Sequence, residues 1–166
     1  MTKGGRLALV AVGLFGLAIG LRSVLFPSQE EVIRGRLKEM ARLASFTPNE
    51  GALAKAYNAQ KLSSYCAPDV ELAVAVPGYQ QTVNGRDEIL AVAMRARSAI
   101  TSLQIELPDV LVTIAPDKQS AVAELTARTK MGNEKDFDVR ELKCTFKKIN
   151  GTWLLSRVEG ARTLRE

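Results

Sequence analysis

At 166 residues the chain has room for one ordinary domain and a short appendage, and its 46% hydrophobic and 25% charged content excludes a disordered protein. The net charge of +5 is unevenly spread. Lys3, Arg6 and Arg22 stand in the first 26 residues, which hold no acid, leaving 20 basic and 18 acidic side chains beyond them, a net of +2. So balanced a remainder lacks the concentrated basic face that nucleic-acid binding needs. Histidine is absent and cysteine occurs only as Cys66 and Cys144, so four nitrogen or sulfur ligands for structural zinc cannot be assembled. The two cysteines read either as one disulfide or as two buried thiols, and the usual burial of free cysteine favours thiols.

The elements begin with an apolar run. Every residue from Leu7 to Leu21 is apolar or glycine, and Val24, Leu25 and Phe26 extend the run past Arg22. Twenty helical residues at about 1.5 Å each match a hydrocarbon core of about 30 Å. Arg22 stands near one end, where its stem can reach the headgroups. Lys3 and Arg6 also resemble the basic start of a cleaved signal peptide, but Arg22 to Pro27 offers no small-x-small cleavage site. The expectation is a cytoplasmic tail and transmembrane anchor over residues 1–27, with a domain over 28–166. Basic residues flanking the run at its start place the tail inside and the domain outside the cytoplasm, as in a single-pass protein of a bacterial inner membrane.

Three helices are predicted next. Ser28-Gln29-Glu30-Glu31 fits a capping box, after which Ile33, Leu37, Met40, Ala41 and Ala44 recur at helical spacing to about Ser45. Thr47-Pro48-Asn49-Glu50 fits a second box with proline at the first helical position, and Leu53 and Tyr57 mark the inner face of a helix ending near Leu62. Glu71 to Val76 is a β-rich run stopped by Pro77-Gly78. Asn84 then caps a third helix lined by Ile89, Val92, Ala93, Ala96 and Ile100.

After Thr101 the period becomes two. Leu103, Ile105 and Leu107 alternate with polar neighbours, and Pro108-Asp109 predicts a bulge before Val110, Val112 and Ile114. Ala121, Ala123, Leu125 and Ala127 continue the alternation, and Asn150-Gly151 joins the last two strands as a two-residue hairpin. Helices first and antiparallel strands afterwards make an α+β domain: three helices on a curved antiparallel sheet.

The segment from Leu62 to Glu71 (LSSYCAPDVE), the helix opening Asn84-Gly85-Arg86-Asp87-Glu88-Ile89, and Lys148 to Leu155 (KINGTWLL) carry a family resemblance. In order and spacing they resemble the nuclear-transport-factor-like (SnoaL-like) superfamily, whose cystatin-like cone wraps a curved sheet around a long helix. The resemblance covers about residues 28 to 164. It implies a fold that hosts isomerases, dehydratases, ligand binders and assembly subunits, so function must be argued from a site.

The sequence supports no catalytic constellation, metal ligand set or cofactor motif. Without histidine, imidazole-based chemistry is excluded. The isomerase-like pattern of the family needs a carboxylate near the first strand and a tyrosine on the first helix. Here those places hold Ala73-Val74-Ala75-Val76 and a helix, Gln29 to Ser45, with no tyrosine. Counting back from Asn150-Gly151, Phe146 faces Leu155, Cys144 faces Arg157 and Leu142 faces Glu159. Arg140, Arg157 and Glu159 then point to the core side, away from the turn. They form either a polar patch at the mouth of an apolar cavity or an Arg–Glu pair at the sheet rim. Tyr65, Tyr79 and Met94 either line that pocket or pack beside the core. Arg86, Arg95 and Arg97 read as a solvated helix face.

Two functions of different class follow. One is a membrane-anchored, non-catalytic scaffold binding another protein or pairing as a homodimer, resembling in layout the scaffold subunits of bacterial secretion channels. The other is a small-molecule binder or residual isomerase- or dehydratase-like enzyme whose cone cavity takes a small apolar ligand.

Overall fold

A computed structural model describes residues 27–76 and 79–160, with the side chains of 74–76 and 79–81 left out of the description. The apolar run between Leu7 and Phe26 lies outside these residues. Among the described residues no helix is long and apolar enough to cross a membrane.

The first helix, α1 (Gln29–Ala44), starts as its sequence dictates. Ser28 Oγ accepts from Glu31 N–H and the Glu31 carboxylate accepts from Ser28 N–H, both at 3.2 Å, closing a capping box. Ile33, Leu37 and Leu43 are buried along one stripe.

The second helix departs from expectation. Thr47–Glu50 forms a turn, Glu50 N–H donating to Thr47 O at 3.2 Å, and α2 (Ala52–Ser64) begins later, with Gly51 as its cap. The Glu50 carboxylate does not reach back to Thr47 because it is engaged by Asn58 Nδ2 at 2.6 Å and Arg97 Nε at 3.2 Å. The helix turns Ala59 and Ser63 inward, leaving Leu53 89% and Tyr57 64% exposed. The predicted inner face is therefore the outer one.

Strands β1 (Cys66–Val76) and β2 (Tyr79–Asn84) form an antiparallel pair before α3 (Arg86–Ala99). Sequence reading gave only the second half of β1 and omitted β2. Gly85, at φ +85°, caps α3 in place of Asn84. The remaining strands are β3 (Leu103–Ile114), β4 (Ser120–Met131), β5 (Asp138–Ile149) and β6 (Thr152–Gly160). Asn150 and Gly151 take φ of 49° and 79° at the β5–β6 turn. The β3–β4 register shifts between Glu106 and Asp109, where the bulge was expected.

One six-stranded sheet results, in the order β2-β1-β6-β5-β4-β3. It is mixed, not wholly antiparallel, because β1 lies parallel to β6. The end of α2 delivers the chain to the end of the sheet where β6 also starts, Leu155 N–H donating to Tyr65 O, so both strands run the same way. Ala121, Ala123, Leu125 and Ala127 of β4 join Cys144, Phe146, Trp153, Leu155 and Val158 on the inner face. Against it pack Ile33 and Leu37 of α1 and Ile89 of α3.

Arg97, expected in solvent, is 4% exposed. From α3 its guanidinium meets Glu50, Leu43 O at the end of α1 and Ala93 O, and lies over the Phe46 ring at 5.1 Å. Replacing Arg97 with leucine leaves the Glu50 carboxylate buried without its counter-charge. The expected loss is about 3–5 kcal/mol in urea unfolding, whereas the double variant R97L/E50Q should recover a large part of it.

Candidate functional site

The described inner face is mainly apolar. No buried side-chain nitrogen or oxygen is left without a partner, and no group of acidic or cysteine side chains is arranged to hold a metal, among the described residues. Trp153 is buried with its indole Nε1 donating to Gln29 Oε1 at 2.9 Å. Phe146 is fully buried. Arg97 is committed to the helix layer. Arg86 donates from Nε to Cys66 O at 3.1 Å, while Arg95 is exposed as expected.

Both cysteines are free and buried. Burial pushes the Cys66 thiol up to about 11 and that of Cys144 up to about 12. They are thus poor nucleophiles near neutral pH.

Of the polar residues expected at the cavity mouth, Arg157 and Glu159 stay together as an ion pair while Arg140 parts from them. The β5–β6 register follows the hairpin from Ile149↔Thr152 to Phe146↔Leu155, then shifts by one, so that Thr145 pairs with Arg157 and Cys144 with Val158. The extra residue is Ser156, buried, its Oγ donating to Thr145 O at 3.0 Å. Past this bulge every side chain of β6 changes face. Val158 enters the core, while Arg157 and Glu159 lie on the outer face. There Arg157 Nε meets Glu159 at 3.2 Å and Arg157 Nη1 meets Glu71 of β1 at 3.8 Å.

Arg140 stays on the inner side of β5, opposite Ala127, with Nε 2.6 Å from Asp138 Oδ2. Tyr65 sits far from it along the sheet, at the end of α2, between Arg36 and Lys61 at 5.1 and 5.8 Å from its ring. Met94 is 37% exposed on α3. Tyr79 is the first residue of β2, opposite Val76.

The bulge also completes a feature that sequence reading missed. Across the outer face runs an open trough of about 660 Å³ lined by Asp109, Leu111, Glu124, Thr126, Glu141, Lys143 and Glu159, among others. The strand register sets the order: Leu111 faces Glu124, Glu124 faces Lys143, and Lys143 faces Glu159. Leu111 is 61% exposed in this row. Four carboxylates against one lysine give the trough an acidic character. The alternation of β3, β4 and β5 could have revealed most of this row, but Glu159 joins it only because of Ser156.

A search with models of protein families returns no match, and a comparison with curated sequences returns none either. Solved structures do match. An NTF2-like protein with a cystatin-like fold from Novosphingobium aromaticivorans is 24% identical, with 92% of each chain covered and a TM-score of 0.62. A candidate scytalone dehydratase from the same organism is 13% identical over 81% of this chain and 83% of its own, with a TM-score of 0.59. A candidate dehydratase of the NTF2-like family from Streptomyces avermitilis is 14% identical over 81% and 97%, with a TM-score of 0.57.

Two outcomes test the site geometry. Deleting Ser156 would restore simple alternation and drive Arg157 and Glu159 into the core. Stability measured by urea unfolding should fall by at least about 4 kcal/mol, against less than about 1 kcal/mol for deleting an exposed residue of the 133–136 loop. The thiols predict a pH dependence. Their folded pKa values lie above the unfolded value of 9.0, so their contribution is intact below 9 and falls as pH rises towards 11 and 12. Between about pH 8 and 10 they should remove roughly 3 kcal/mol of stability, a loss absent from the Cys66→Ala, Cys144→Ala double variant.

The domain thus has the α+β cystatin-like cone fold of NTF2-like proteins.

Proposed function

We propose that this chain is a membrane-anchored, non-catalytic assembly module whose domain docks another protein through the outer face of its sheet. The observation that carries this reading is the contrast between the two faces. The described inner face is packed with Phe146, Trp153 and aliphatic side chains, and its Arg140 and Asp138 are engaged with each other at one end. The outer face offers an open trough with exposed Leu111 among Asp109, Glu124, Glu141 and Glu159. An exposed leucine beside Asp109 and Glu124, with Glu141 and Glu159 further along the trough, suits a partner segment bearing an apolar side chain flanked by lysine or arginine. The apolar run from Leu7 to Phe26, with Lys3 and Arg6 ahead of it, supports a single-pass anchor with the domain outside the cytoplasm.

A second reading is favoured by the names of two structural neighbours, both candidate dehydratases. On this reading the cone would hold a small apolar ligand near Met94 and Arg140. The absence of histidine from the chain weighs against the imidazole-dependent chemistry available to such a cavity.

Native mass spectrometry of the full-length protein, released gently from its own membranes, separates the two. A second polypeptide at fixed stoichiometry is expected, with its occupancy reduced at least about tenfold by Leu111→Asp combined with Glu141→Lys. A bare chain or homodimer retaining a bound mass of a few hundred daltons would overturn the scaffold reading in favour of the cavity.

A further inference from the structure

The end of the domain that follows the apolar run is built to a fixed geometry. Only Pro27 and Ser28 separate Phe26 from α1, a reach of at most about 10 Å. The first residue of α1, Gln29, is fastened to the β5–β6 hairpin: its Oε1 accepts from Lys148 Nζ at 3.1 Å and from Trp153 Nε1 at 2.9 Å. Lys148 also lies over the Trp153 ring at 5.4 Å. The neighbouring β3–β4 turn is tied to the same point, because Lys148 N–H donates to Gln119 O at 2.8 Å. The Asp117 carboxylate shapes that turn by accepting from Gln119 N–H at 2.9 Å. The start of α1, the 115–119 turn and the 150–152 hairpin tip therefore form one rigid end of the cone.

The opposite end holds the 46–51 turn, the β4–β5 loop and the end of β6. The 12 residues of β5 span about 40 Å between the two ends. Solvent-exposed residues at the first end include Pro116, Lys118, Lys147, Asn150, Gly151 and Thr152.

We infer that this end is the membrane-facing surface of the domain, with the phosphate-bearing headgroup layer of the bilayer against the 115–119 and 150–152 turns. The inference rests on the anchor reading above and adds an orientation to it. Phe26 and Gln29 are so close in the chain that the hairpin clamped to Gln29 cannot stand far from the bilayer. Exposed Lys118 in the 115–119 turn can meet lipid phosphates, with Lys147 beside it shared with Asp69 at 3.6 Å, and the Asp117 carboxylate is turned to the N–H groups of Gln119 and Ser120. The strands then stand away from the membrane, and the outer trough, whose residues lie towards the far half of β5 and β6, is held clear of the headgroups and open to a protein partner.

The test places a short-range fluorophore at Thr152→Cys or, in a second variant, at Lys135→Cys at the opposite end. Both positions are exposed, and the native thiols are buried, so labelling at neutral pH goes to the introduced cysteine. The full chain is reconstituted in vesicles of phosphatidylcholine and phosphatidylglycerol containing a lipid with a nitroxide on its headgroup. Several-fold quenching at position 152 and almost none at 135 is expected. Equal quenching at the two positions, or stronger quenching at 135, with the protein still floating with the vesicles after an alkaline wash, would overturn the orientation while leaving the anchor intact. Failure to float would remove the anchor reading and the orientation together.

Discussion

Arg97 is the contact on which the helical layer depends. One side chain, rooted in α3, meets the last turn of α1 through Leu43 O, the turn before α2 through Glu50, and the ring of Phe46. Glu50 in turn receives Asn58 from within α2. Phe46 exchanges backbone hydrogen bonds with Leu103, the first residue of β3, so the same node reaches the sheet edge. A buried ion pair is a poor source of net stability, since desolvation offsets much of the attraction. Its value here lies in direction. Five N–H donors in a fixed plane demand acceptors in fixed places, and the end of α1, the turn before α2 and α3 itself must converge to supply them.

The sheet reaches its curvature by other means. Bulges at Pro108 and Ser156 interrupt β3 and β6, each adding local twist while moving later side chains to the opposite face, and the β1–β6 register shifts again between Cys66 and Glu71. The inner face of β4 carries alanine at three of its four core positions, leaving space for the bulk of Phe146 and Trp153 and for the stripe of α1. Inside, the shape is therefore filled by a few large residues against many small ones. Outside, it is a row of charges with Leu111 among them.

That division links structure to function. The described core holds two thiols kept protonated by burial and an arginine already paired. The outer trough, assembled from four strands, combines exposed Leu111 with four carboxylates and a lysine. A rigid end built from Gln29, Lys148 and Trp153 sets how that surface would be displayed from an anchor.

Local chemistry was enough to determine much of this protein. Ser28 and Glu31 define the start of α1 because a capping box involves only residues three apart. Asn150-Gly151 defines the last hairpin because its two residues tolerate positive φ, and period-two alternation defines β3, β4 and β5 because each has one buried face. The order of these elements implied an α+β domain, and the cone was what the family resemblance of three segments added to it. Tertiary structure decided the rest. Glu50 leaves its expected cap because Arg97, 47 residues away, claims its carboxylate, and α2 turns Leu53 and Tyr57 outward in favour of small Ala59 and Ser63. β1 runs parallel to β6 because of where α2 ends, a fact no local pattern carries. Most telling is Ser156. A single extra residue in β6 is invisible to a count of alternation, yet it moves Arg157 and Glu159 from the core side to the outer face and so relocates the candidate site. Sequence periodicity says that a strand has two faces; only pairing with its neighbours says where they exchange.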